Sequence, residues 1–343
     1  MTPATFALPG DIDAKTGGTI YDSAVIEALR ATGRAIAHLP LPGSFPFPPP
    51  ADMAVALAAL RALPEGRPVI IDGLAFGALD TGALATLRAP LIAMIHHPLG
   101  LETGLAPETA RNLLRQEAGN LALAAHVIVP SPHTARILAA DFGVPEGRIT
   151  IALPGFAAPD PVRAPIDPPL ILAVGLLAPR KGHDVLIRAL SSLTDLPWQA
   201  VIVGAAHDAD TATALAAQAA PLGARLRFAG RMERADLATL YRQAKVFALA
   251  TRYEGYGMVF GEALLHGLPI VTCATGAVPE TVPEGTGILV PVDDPAAFAA
   301  ALRRVLTDAP LRRDMAARAT AAGHALPQWA HTAAHFARVL DAQ

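Results

Sequence analysis

Two glutamates flank a glycine-rich turn in this chain, and their spacing suits the binding of a phosphate-containing ligand. The segment from Glu254 to Glu262 reads Glu-Gly-Tyr-Gly-Met-Val-Phe-Gly-Glu, and an apolar helix pattern follows it. Gly255 and Gly257 permit close approach of the backbone to a ligand, and a helix start offers free N–H groups with a partial positive charge. A phosphate or diphosphate suits such a turn. The two carboxylates could then accept hydrogen bonds from hydroxyl groups on either side.

Paired carboxylates also cleave glycosidic bonds, so Glu254 and Glu262 allow an alternative interpretation as a glycoside hydrolase. If the segment is helical throughout, eight residues advance roughly 12 Å along the helix axis. The carboxylates of a retaining hydrolase stand about 5–5.5 Å apart, and those of an inverting one at most about 9.5 Å. The spacing therefore disfavours a hydrolytic pair, although a bend at Gly255 and Gly257 keeps that alternative open.

Arg180 and Lys181 are the cations that could bind the same anionic ligand. They follow the strand-like run Leu170–Val174, in a loop that also contains Pro179 and Gly182. Ligands of open α/β sheets bind at the carboxyl ends of the strands, and a departing diphosphate requires positive charge where its oxygen becomes negative. We therefore predict that both cations face the ligand; the alternative is a solvated turn.

Strand-like and helix-like runs alternate along both halves of the chain, which predicts parallel sheets wrapped by helices. In the first half, the predicted strands are Thr5–Leu8, Val69–Ile71, Pro90–Ile95 and His126–Val129. The predicted helices of this half are Tyr21–Thr32, Ala51–Leu63, Pro107–Ala124 and Pro132–Phe142. In the second half, the predicted strands are Leu170–Val174, Gln199–Val203, Arg225–Phe228, Val246–Ala250 and Ile270–Cys273. The predicted helices there are Asp184–Leu193, Thr211–Leu222, Asp236–Ala244, Gly261–His266 and Pro295–Thr307.

Two proline-rich segments interrupt this alternation. Pro40–Pro50 is predicted to be a surface loop, because proline disrupts helix interiors and central strands. Pro154–Pro169 contains six prolines and is predicted to be an interdomain linker. The fold prediction is therefore two doubly wound, Rossmann-like α/β domains with a ligand-binding cleft between them. The predicted bounds are 1–155 and 170–325 for the domains, 156–169 for the linker and 326–343 for a C-terminal helix.

Length, composition and charge bound the class of protein. A chain of 343 residues suggests two domains, and 52% hydrophobic with 17% charged residues indicates a well-buried globular protein. The net charge of −3 and the lack of a basic run disfavour a nucleic-acid partner. Cys273 is the single cysteine, which excludes an internal disulfide and fits a reducing compartment.

The sequence also bears on membranes and targeting. Pro9, Asp11 and Asp13 stand where a signal peptide would need an unbroken apolar core. The most apolar stretch, Pro168–Pro179, is far shorter than the roughly 20 residues that span a bilayer. We therefore expect a cytoplasmic protein, while the mean hydropathy of +0.38 leaves peripheral contact with the inner face of the membrane open.

Three segments, in this order along the chain, resemble the retaining GT-B glycosyltransferases of the family 4 type. Asp13–Thr19 resembles the glycine loop after the first strand, and Leu172–Leu190 resembles the segment that opens the donor domain. Tyr253–Val290 resembles the Glu-x7-Glu element with its following strand and glycine-rich turn. The resemblance implies a UDP- or GDP-linked sugar held mainly by the C-terminal domain and a hydroxyl acceptor held by the N-terminal domain. It also implies transfer of a hexose with retention at the anomeric carbon.

The resemblance assigns roles in the donor site residue by residue. Lys181 would bind the diphosphate, Glu254 the transferred sugar and Glu262 the ribose hydroxyls. The family usually has an arginine directly after the glycine of the first donor-domain strand; Leu176 stands there, and Arg180 is the candidate replacement. The remaining predicted donor contacts are the turn residues Gly255, Tyr256, Gly257, Met258 and Val259, the last three through backbone N–H groups on the phosphates.

Outside that segment, the resemblance points to three further places. The family has a functionally important histidine after the strand that corresponds to Pro90–Ile95; His96 is the better match and His97 the alternative. Gly17 and Gly18 would let the first loop reach over the diphosphate, unless they form an ordinary strand-to-helix turn. Arg231 would lie near the nucleobase. Further predictions are an acceptor contact or plain surface acid at Glu102, and a helix at Trp329–Leu340 that packs back on the N-terminal domain.

We predict no cofactor and no essential metal. The Asp-x-Asp pairs at Asp11 and Asp13 and at Asp208 and Asp210 resemble the metal-binding motif of the other glycosyltransferase fold, but both lie outside the position which that motif requires. No His/Cys cluster has metal-ligand spacing. Ser131 before Pro132 is explained without function, as the N-cap and first residue of a helix.

Two rival functions remain beside a glycosyltransferase. A Rossmann oxidoreductase needs Gly-x-Gly-x-x-Gly after a first strand, with an acid about twenty residues further on, and neither half offers this pattern. A nucleotide-sugar-binding partner subunit without turnover is supported by Leu176 alone, where the family has arginine.

Overall fold

The computed structural model describes residues 1–14, 16–157 and 163–343. Contacts between residues divide it into two compact units, Met1–Ala157 together with Pro327–Gln343, and Ala158–Leu326. In the described residues, each unit contains a six-stranded sheet whose paired strands are all parallel. Helices cover the sheets, which confirms the prediction of two doubly wound α/β domains.

The sheet of the N-terminal unit has the strand order β2-β1-β3-β4-β5-β6. Its strands are β1 (Ala4–Pro9), β2 (Ile36–Leu41), β3 (Val69–Asp72), β4 (Leu91–Met94), β5 (His126–Val129) and β6 (Ile149–Ile151). The helices that connect them are α1 (Gly17–Ala31), α2 (Pro50–Arg61), α3 (Gly73–Phe76), α4 (Thr81–Leu84), α5 (Pro107–Leu123) and α6 (Pro132–Asp141). Every residue of β3 and β4 is buried, as expected of central parallel strands covered on both faces.

The sheet of the second unit has the order β12-β11-β10-β7-β8-β9. Its strands are β7 (Leu170–Val174), β8 (Gln199–Val203), β9 (Leu226–Gly230), β10 (Ala244–Leu249), β11 (Ile270–Cys273) and β12 (Gly287–Val290). Its helices are α7 (His183–Ser191), α8 (Ala209–Ala219), α9 (Arg234–Gln243), α10 (Met258–Leu265), α11 (Val278–Thr281), α12 (Pro295–Thr307) and α13 (Ala309–His324). Apolar side chains are buried on both faces of this sheet, with Trp198 and Phe298 on one face and Phe247 and Phe260 on the other.

The strands that the sequence did not predict are the short or polar ones at the sheet edges. β2, β6 and β12 were all missed, and each lies at the edge of its sheet. β2 also corrects the prediction that Pro40–Pro50 is wholly a loop, because Pro40 belongs to this strand. An edge strand tolerates proline, since one side of its backbone needs no hydrogen-bond partner in the sheet. The loop is therefore shorter than predicted, and α2 begins at Pro50.

The predicted linker 156–169 is described only at its two ends, because 158–162 lie outside the described residues. The Phe156 N–H donates to the Pro327 carbonyl, at 2.8 Å, within the N-terminal unit. On the other side, the Arg163 guanidinium donates to the Gly267 and Ala244 carbonyls, at 2.7 and 2.6 Å. Each end is thus attached to its own unit by hydrogen bonds.

The last helix, α14 (Trp329–Asp341), belongs to the N-terminal unit and packs against α1. Phe336 of α14 lies beside Phe6 of β1, with ring centroids 6.4 Å apart. The Arg34 guanidinium donates to both carboxylate oxygens of Asp341, each at 2.8 Å. None of the described helices has the length and apolar character needed to cross a membrane.

Candidate functional site

The candidate residues of the second unit lie at a switch point of its sheet. β7 pairs with β8 on one side and with β10 on the other, so the connections after β7 and β10 leave a crevice at the carboxyl ends of these strands. A short 3-10 turn, Pro179–Lys181, follows β7, and Glu254 follows β10. Topology therefore places Lys181 and Glu254 side by side, although 73 positions separate them in sequence.

Glycine at 182 is what allows the two loops to approach so closely. Gly182 has a positive φ of 61°, and a Cβ added there would lie 1.9 Å from the carbonyl oxygen of Ala250. No side chain fits in that space, so the turn that carries Arg180 and Lys181 passes directly against the end of β10.

The Lys181 ammonium and the Glu254 carboxylate form the central ion pair of this site. Lys181 Nζ donates to Glu254 Oε1 at 2.6 Å, and the Thr251 hydroxyl donates to the same oxygen at 3.0 Å. Arg180 Nη1 lies 3.6 Å from Glu254 Oε2 and donates to the Tyr253 carbonyl at 3.0 Å. Two cations thus face one carboxylate.

The electrostatics of this cluster keep Glu254 charged. Burial raises the pKa of the Glu254 carboxyl, but attraction from Lys181 and then from Arg180 outweighs burial, and the net direction is downward. Glu254 is only 5% exposed, so its charge is screened little by solvent. At neutral pH the site therefore holds an ionised Glu254 carboxylate beside the side chains of Lys181 and Arg180.

Arg252 fixes the turn that carries these cations. Its guanidinium binds both carboxylate oxygens of Asp184, at 2.9 and 2.8 Å, and Asp293, at 2.8 Å. It also donates to the Pro179 carbonyl, and the Arg252 backbone N–H donates to the Arg180 carbonyl at 2.8 Å. The loop after β10 and the turn after β7 are therefore held together by both side-chain and backbone bonds.

The turn between the two glutamates ends in the helix start that the sequence suggested, but earlier than predicted. α10 begins at Met258, three residues before the predicted start at Gly261, with Gly257 as its N-cap in the left-handed region. A Cβ on Gly257 would lie 2.6 Å from the Phe260 ring. The first N–H groups of α10 thus belong to Met258 and Val259. The neighbouring Gly255 and Tyr256 are partly buried, and burial raises the pKa of Tyr256 to about 12.

Glu254 and Glu262 have different partners, and Glu254 lies outside the helix. The condition of a helix throughout the segment is not met, so the estimate of 12 Å does not apply to the described backbone. Glu262 Oε2 accepts a hydrogen bond from the Tyr241 hydroxyl at 2.7 Å. Burial raises the pKa of Glu262, while the hydrogen bond from Tyr241 and the charge of Arg234 oppose that rise.

The N-terminal unit has a second cluster of charged groups, around His96. His96 follows β4, Asp72 ends β3 and Asp22 lies on α1, next to the switch point between β1 and β3. His96 Nε2 lies 3.0 Å from Asp22 Oδ1 and 3.6 Å from Asp72 Oδ2. The Tyr21 ring packs edge-on against the His96 ring, with centroids 5.2 Å apart, and both aspartates are buried.

Two buried carboxylates face one imidazole here, and burial moves the pKa of one of them, Asp72, toward neutral pH. Burial, followed by repulsion from Asp22, raises the pKa of Asp72 to about 7. Burial lowers the pKa of His96, but the attraction of Asp22 and Asp72 outweighs it, and the net direction is upward. The side chain of His96 is 25% exposed, so the ring remains partly accessible at one edge.

Of the two histidines predicted from the sequence, His96 is the one in contact with the carboxylates; His97 follows it and is partly buried. The prediction for Gly17 and Gly18 needs a correction. Both residues form the first turn of α1 and not a loop, because Thr16 caps the helix and its hydroxyl accepts from the Thr19 N–H. Gly18 approaches the His96 ring, since a Cβ there would lie 3.6 Å from it.

The other predicted residues lie apart from these clusters. Arg231 is exposed and directly follows β9, two strands away from β7 in the sheet. Glu102 is exposed at the end of a 3-10 turn. Ser131 caps α6 and Pro132 is its first residue, which confirms that prediction.

The Asp-x-Asp pairs have local structural roles. Asp208 caps α8 by accepting from the Thr211 N–H at 2.7 Å, and Asp11 accepts from the Asp13 N–H at 2.9 Å. Among the described residues, the group with the spacing of metal ligands is Asp22, Asp72 and His96, whose ligand atoms lie within 4.8 Å of one another. The expectation that the protein needs no metal and no cofactor stays a prediction.

Several residues of both clusters were missed in the sequence. Asp22 is a single acid on a helix and Thr251 a single hydroxyl after a strand, and neither is unusual by itself. Asp72 had a usable signal, because an acid that directly follows the apolar run Val69–Ile71 stands at the carboxyl end of a buried strand. Tyr241 had no signal, since one aromatic residue on a helix usually belongs to the core.

Comparisons with known protein families match nearly all of the chain. Residues 158–322 match the family model described as glycosyl transferases group 1. Residues 20–157 match the model described as glycosyltransferase family 4. The two matched regions follow each other directly and correspond closely to the two units of the structure.

Curated relatives and solved structures agree with the family models. The D-inositol 3-phosphate glycosyltransferase of Kineococcus radiotolerans is 32% identical over 251 residues, which cover 64% of this chain and 57% of that protein. A GDP-mannose-dependent phosphatidylinositol monomannoside mannosyltransferase of Corynebacterium glutamicum is 32% identical over 170 residues, or 47% of this chain and 43% of that one. The chain therefore spans less than two thirds of the length of these relatives.

Two solved structures share the fold along nearly their whole length. A sucrose-phosphate synthase from Thermosynechococcus elongatus superposes with a TM-score of 0.81 at 24% identity, covering 98% of each chain. HepE of Anabaena, in complex with UDP and glucose, superposes with a TM-score of 0.78 at 19% identity, covering 98% of this chain and 99% of that one.

Proposed function

The chain belongs to the GT-B glycosyltransferases of the group 1 and family 4 type, and from that premise we propose that it transfers a hexose from a nucleotide-diphosphate sugar to an acceptor hydroxyl. The single observation that carries the proposal is the Lys181–Glu254 pair with Arg180 at the switch point of the second unit. It offers a carboxylate for a sugar hydroxyl and two cationic side chains for a diphosphate in the same place.

The pairing of Lys181 with Glu254 leaves donor groups for the diphosphate. An ammonium group has three N–H donors, and Glu254 accepts one of them. Lys181 is 13% exposed and Arg180 28% exposed as side chains, so both reach the surface of the loop. The first N–H groups of α10 add further donors a few residues along the chain, at Met258 and Val259.

The chemistry follows from where charge develops. The bond between the anomeric carbon and the phosphate oxygen breaks, and a new bond forms between that carbon and the acceptor oxygen. Lys181 and Arg180 stabilise the negative charge on the departing diphosphate. For a retaining reaction without a covalent intermediate, the acceptor attacks from the face that the phosphate leaves, and the phosphate oxygen takes the acceptor proton. No metal is required, because the two cations neutralise the negative charge that develops on the departing diphosphate.

The donor nucleotide is UDP or GDP. HepE was solved with UDP and glucose, and the Corynebacterium relative is described as GDP-mannose-dependent. We assign Glu254 to the transferred sugar, Glu262 to the ribose and the turn between them to the phosphates. The N-terminal unit would bind the acceptor, and the assignment of His96 to the donor sugar or its phosphate stays a prediction.

The test is an assay of nucleotide release from UDP-glucose and from GDP-mannose, with EDTA present. We expect release of UDP or GDP by the wild-type protein, and NMR of the product should show the anomeric configuration of the donor. Lys181→Met should lower the rate at least about 100-fold, because it removes a charge that meets the developing oxyanion. Lys245→Met, on the partly exposed Lys245 of β10, is the matched control and should keep the wild-type rate.

Three outcomes would contradict parts of the proposal. A wild-type rate in Lys181→Met would refute the diphosphate role, and a product of inverted configuration would refute retention. Binding of both nucleotides without any release would favour the partner subunit without turnover, which Leu176 in place of the family arginine suggests.

A further inference from the structure

Tyr241 is a buried tyrosine whose hydroxyl binds a residue of the proposed donor site. It lies on α9 and is 2% exposed. Its hydroxyl donates to Glu262 Oε2 at 2.7 Å. Among the residues that the structure describes, this hydroxyl is the hydrogen-bond partner of the Glu262 carboxylate. A buried tyrosine hydroxyl without a partner is costly, so this bond is a defined part of the structure.

Packing fixes the Tyr241 ring independently of that bond. The ring stacks on His266, with centroids 5.0 Å apart and planes 6° apart. It also stacks on Phe247 of β10, with centroids 6.1 Å apart and planes 18° apart. His266 is the C-cap of α10, the helix that carries Glu262. The hydroxyl therefore has a set position, and replacing Tyr241 by phenylalanine removes one polar atom while keeping the stacked ring.

The bond has consequences for what Glu262 can bind. A carboxylate has two oxygens with two acceptor sites each, so Tyr241 uses one of four and leaves the others for hydroxyl donors. A flexible glutamate loses side-chain freedom when it is ordered. Because Tyr241 already holds the carboxylate, part of that freedom is lost before a ligand binds, and binding is favoured by the same amount.

We propose that Tyr241 is a positioning residue of the nucleoside subsite, whose hydroxyl holds the Glu262 carboxylate ready for the 2′- and 3′-hydroxyls of the donor ribose. This inference rests on the proposed function, which assigns Glu262 to the ribose. Tyr241 itself does not touch the nucleotide in this account. Its effect should therefore depend on whether the nucleotide has ribose hydroxyls.

The experiment is a binding titration of the full chain with UDP, GDP and their 2′,3′-dideoxy forms. The wild-type protein should bind one ribonucleotide more tightly than its dideoxy form, and Glu262→Gln should abolish that preference. Tyr241→Phe should weaken binding of the ribonucleotide by up to about 30-fold, the equivalent of the side-chain freedom that Glu262 would then lose on binding. Binding of the dideoxy form should not change.

Thr332→Val is the matched control. Thr332 is buried in α14, and its hydroxyl donates to the Leu153 carbonyl at 2.7 Å in the N-terminal unit. This variant loses a comparable hydrogen bond and should retain the wild-type preference for the ribonucleotide. Thermal unfolding of each variant shows whether a loss of binding reflects a loss of folded protein.

The outcomes separate this inference from the function on which it rests. If Tyr241→Phe weakens both forms equally, or neither, Tyr241 has only a structural role and the inference is wrong while the function stands. If Glu262→Gln keeps the preference, Glu262 does not bind the ribose, and the inference fails with that assignment. If the wild-type protein binds no nucleotide, the proposed function fails as well.

Discussion

Each unit of this protein holds a buried acid against a cation beside its central strands, but the balance of charge is opposite in the two. In the second unit, Lys181 and Arg180 face the single carboxylate of Glu254. In the N-terminal unit, the carboxylates of Asp22 and Asp72 face the single imidazole of His96. One site sets two cationic side chains against one carboxylate, and the other sets two carboxylates against an imidazole that can lose its charge.

The difference decides how each site responds to protons. Lys181 and Arg180 hold the pKa of Glu254 below its usual range, against the effect of burial. Burial and the repulsion of Asp22 raise the pKa of Asp72 to about 7. The second unit therefore keeps its charges near neutral pH, whereas the N-terminal unit takes up or releases a proton there. A site for an anionic leaving group benefits from the first property.

The largest effect that tests this comparison should come from breaking the ion pair of the second unit. Glu254→Gln should destabilise the protein by about 3–5 kcal/mol, because it leaves the two cations without their buried carboxylate. Lys181→Met should destabilise it less, because Arg180 still faces Glu254. The double variant should be far more stable than the sum of the single effects implies. Chemical denaturation of the four proteins measures this double-mutant cycle. Additive effects would show that the two groups are not coupled, and the comparison would lose its basis.

A smaller effect with a distinctive sign should appear in the pH dependence of stability. Burial raises the folded-state pKa of Asp72 to about 7, from an ordinary value of 3.8. The stability that it contributes is therefore fully present below pH 3.8 and is lost as the pH rises toward about 7. For Glu254 the folded-state pKa is lowered, so its contribution is present above the unfolded value and is lost as the pH falls through the folded one.

The two tryptophans allow these slopes to be measured separately. Trp198 lies in the second unit and Trp329 in the N-terminal unit, and the sequence contains no other tryptophan. In the Trp329→Phe background, the free energy of unfolding of Glu254→Gln should rise relative to that of its parent as the pH falls, because the parent loses the contribution of the Glu254 carboxylate. With Trp198→Phe as background, Asp72→Asn should gain stability relative to its parent as the pH rises from about 4 to 7. Slopes of the same sign in the two units would refute the contrast.

The smallest effect sharpens the account of the second unit. Thr251→Val removes the hydroxyl that binds Glu254 Oε1 at 3.0 Å and keeps the shape of the side chain. It should destabilise the unit by about 1 kcal/mol, the usual value of one hydrogen bond. It should leave the Lys181–Glu254 coupling energy within about 0.5 kcal/mol of wild type. The measurement is the same Lys181–Glu254 double-mutant cycle, repeated by chemical denaturation in a protein that carries Thr251→Val. Loss of the coupling energy there would mean that Thr251 orients the pair.

The sequence predicted those strands and site residues whose position in the fold is determined by a local pattern of residues. The alternation of apolar runs predicted the central strands, because a strand buried on both faces must be apolar throughout. The same reasoning placed Lys181 at the carboxyl end of β7. It did not reveal that Lys181 binds Glu254, because that contact depends on which strands are neighbours in the sheet. The edge strand β2 was hidden by its polar His38 and by Pro40, which an edge tolerates.

The N-terminal cluster shows where such reasoning stops. His96 was found because it follows a clear strand, and one partner, Asp72, ends the preceding one. The other partner, Asp22, is an acid on α1 and would be expected on the exposed face of that helix. Only the three-dimensional packing of α1 shows that its side chain is buried. Tyr241 was missed for the same reason, since neither the burial of its ring nor its bond to Glu262 leaves a trace in the spacing of residues.

The position of α14 has a consequence for the order in which the protein is made. This helix completes the N-terminal unit, yet its residues come after the whole of the second unit in sequence. Its Trp329 and Phe336 rings pack against Tyr21, which in turn packs against His96. During synthesis, the second unit can form as soon as its own residues have emerged. The N-terminal unit, although its first strands appear earliest, must wait for residues 327–343 before the packing behind His96 is complete.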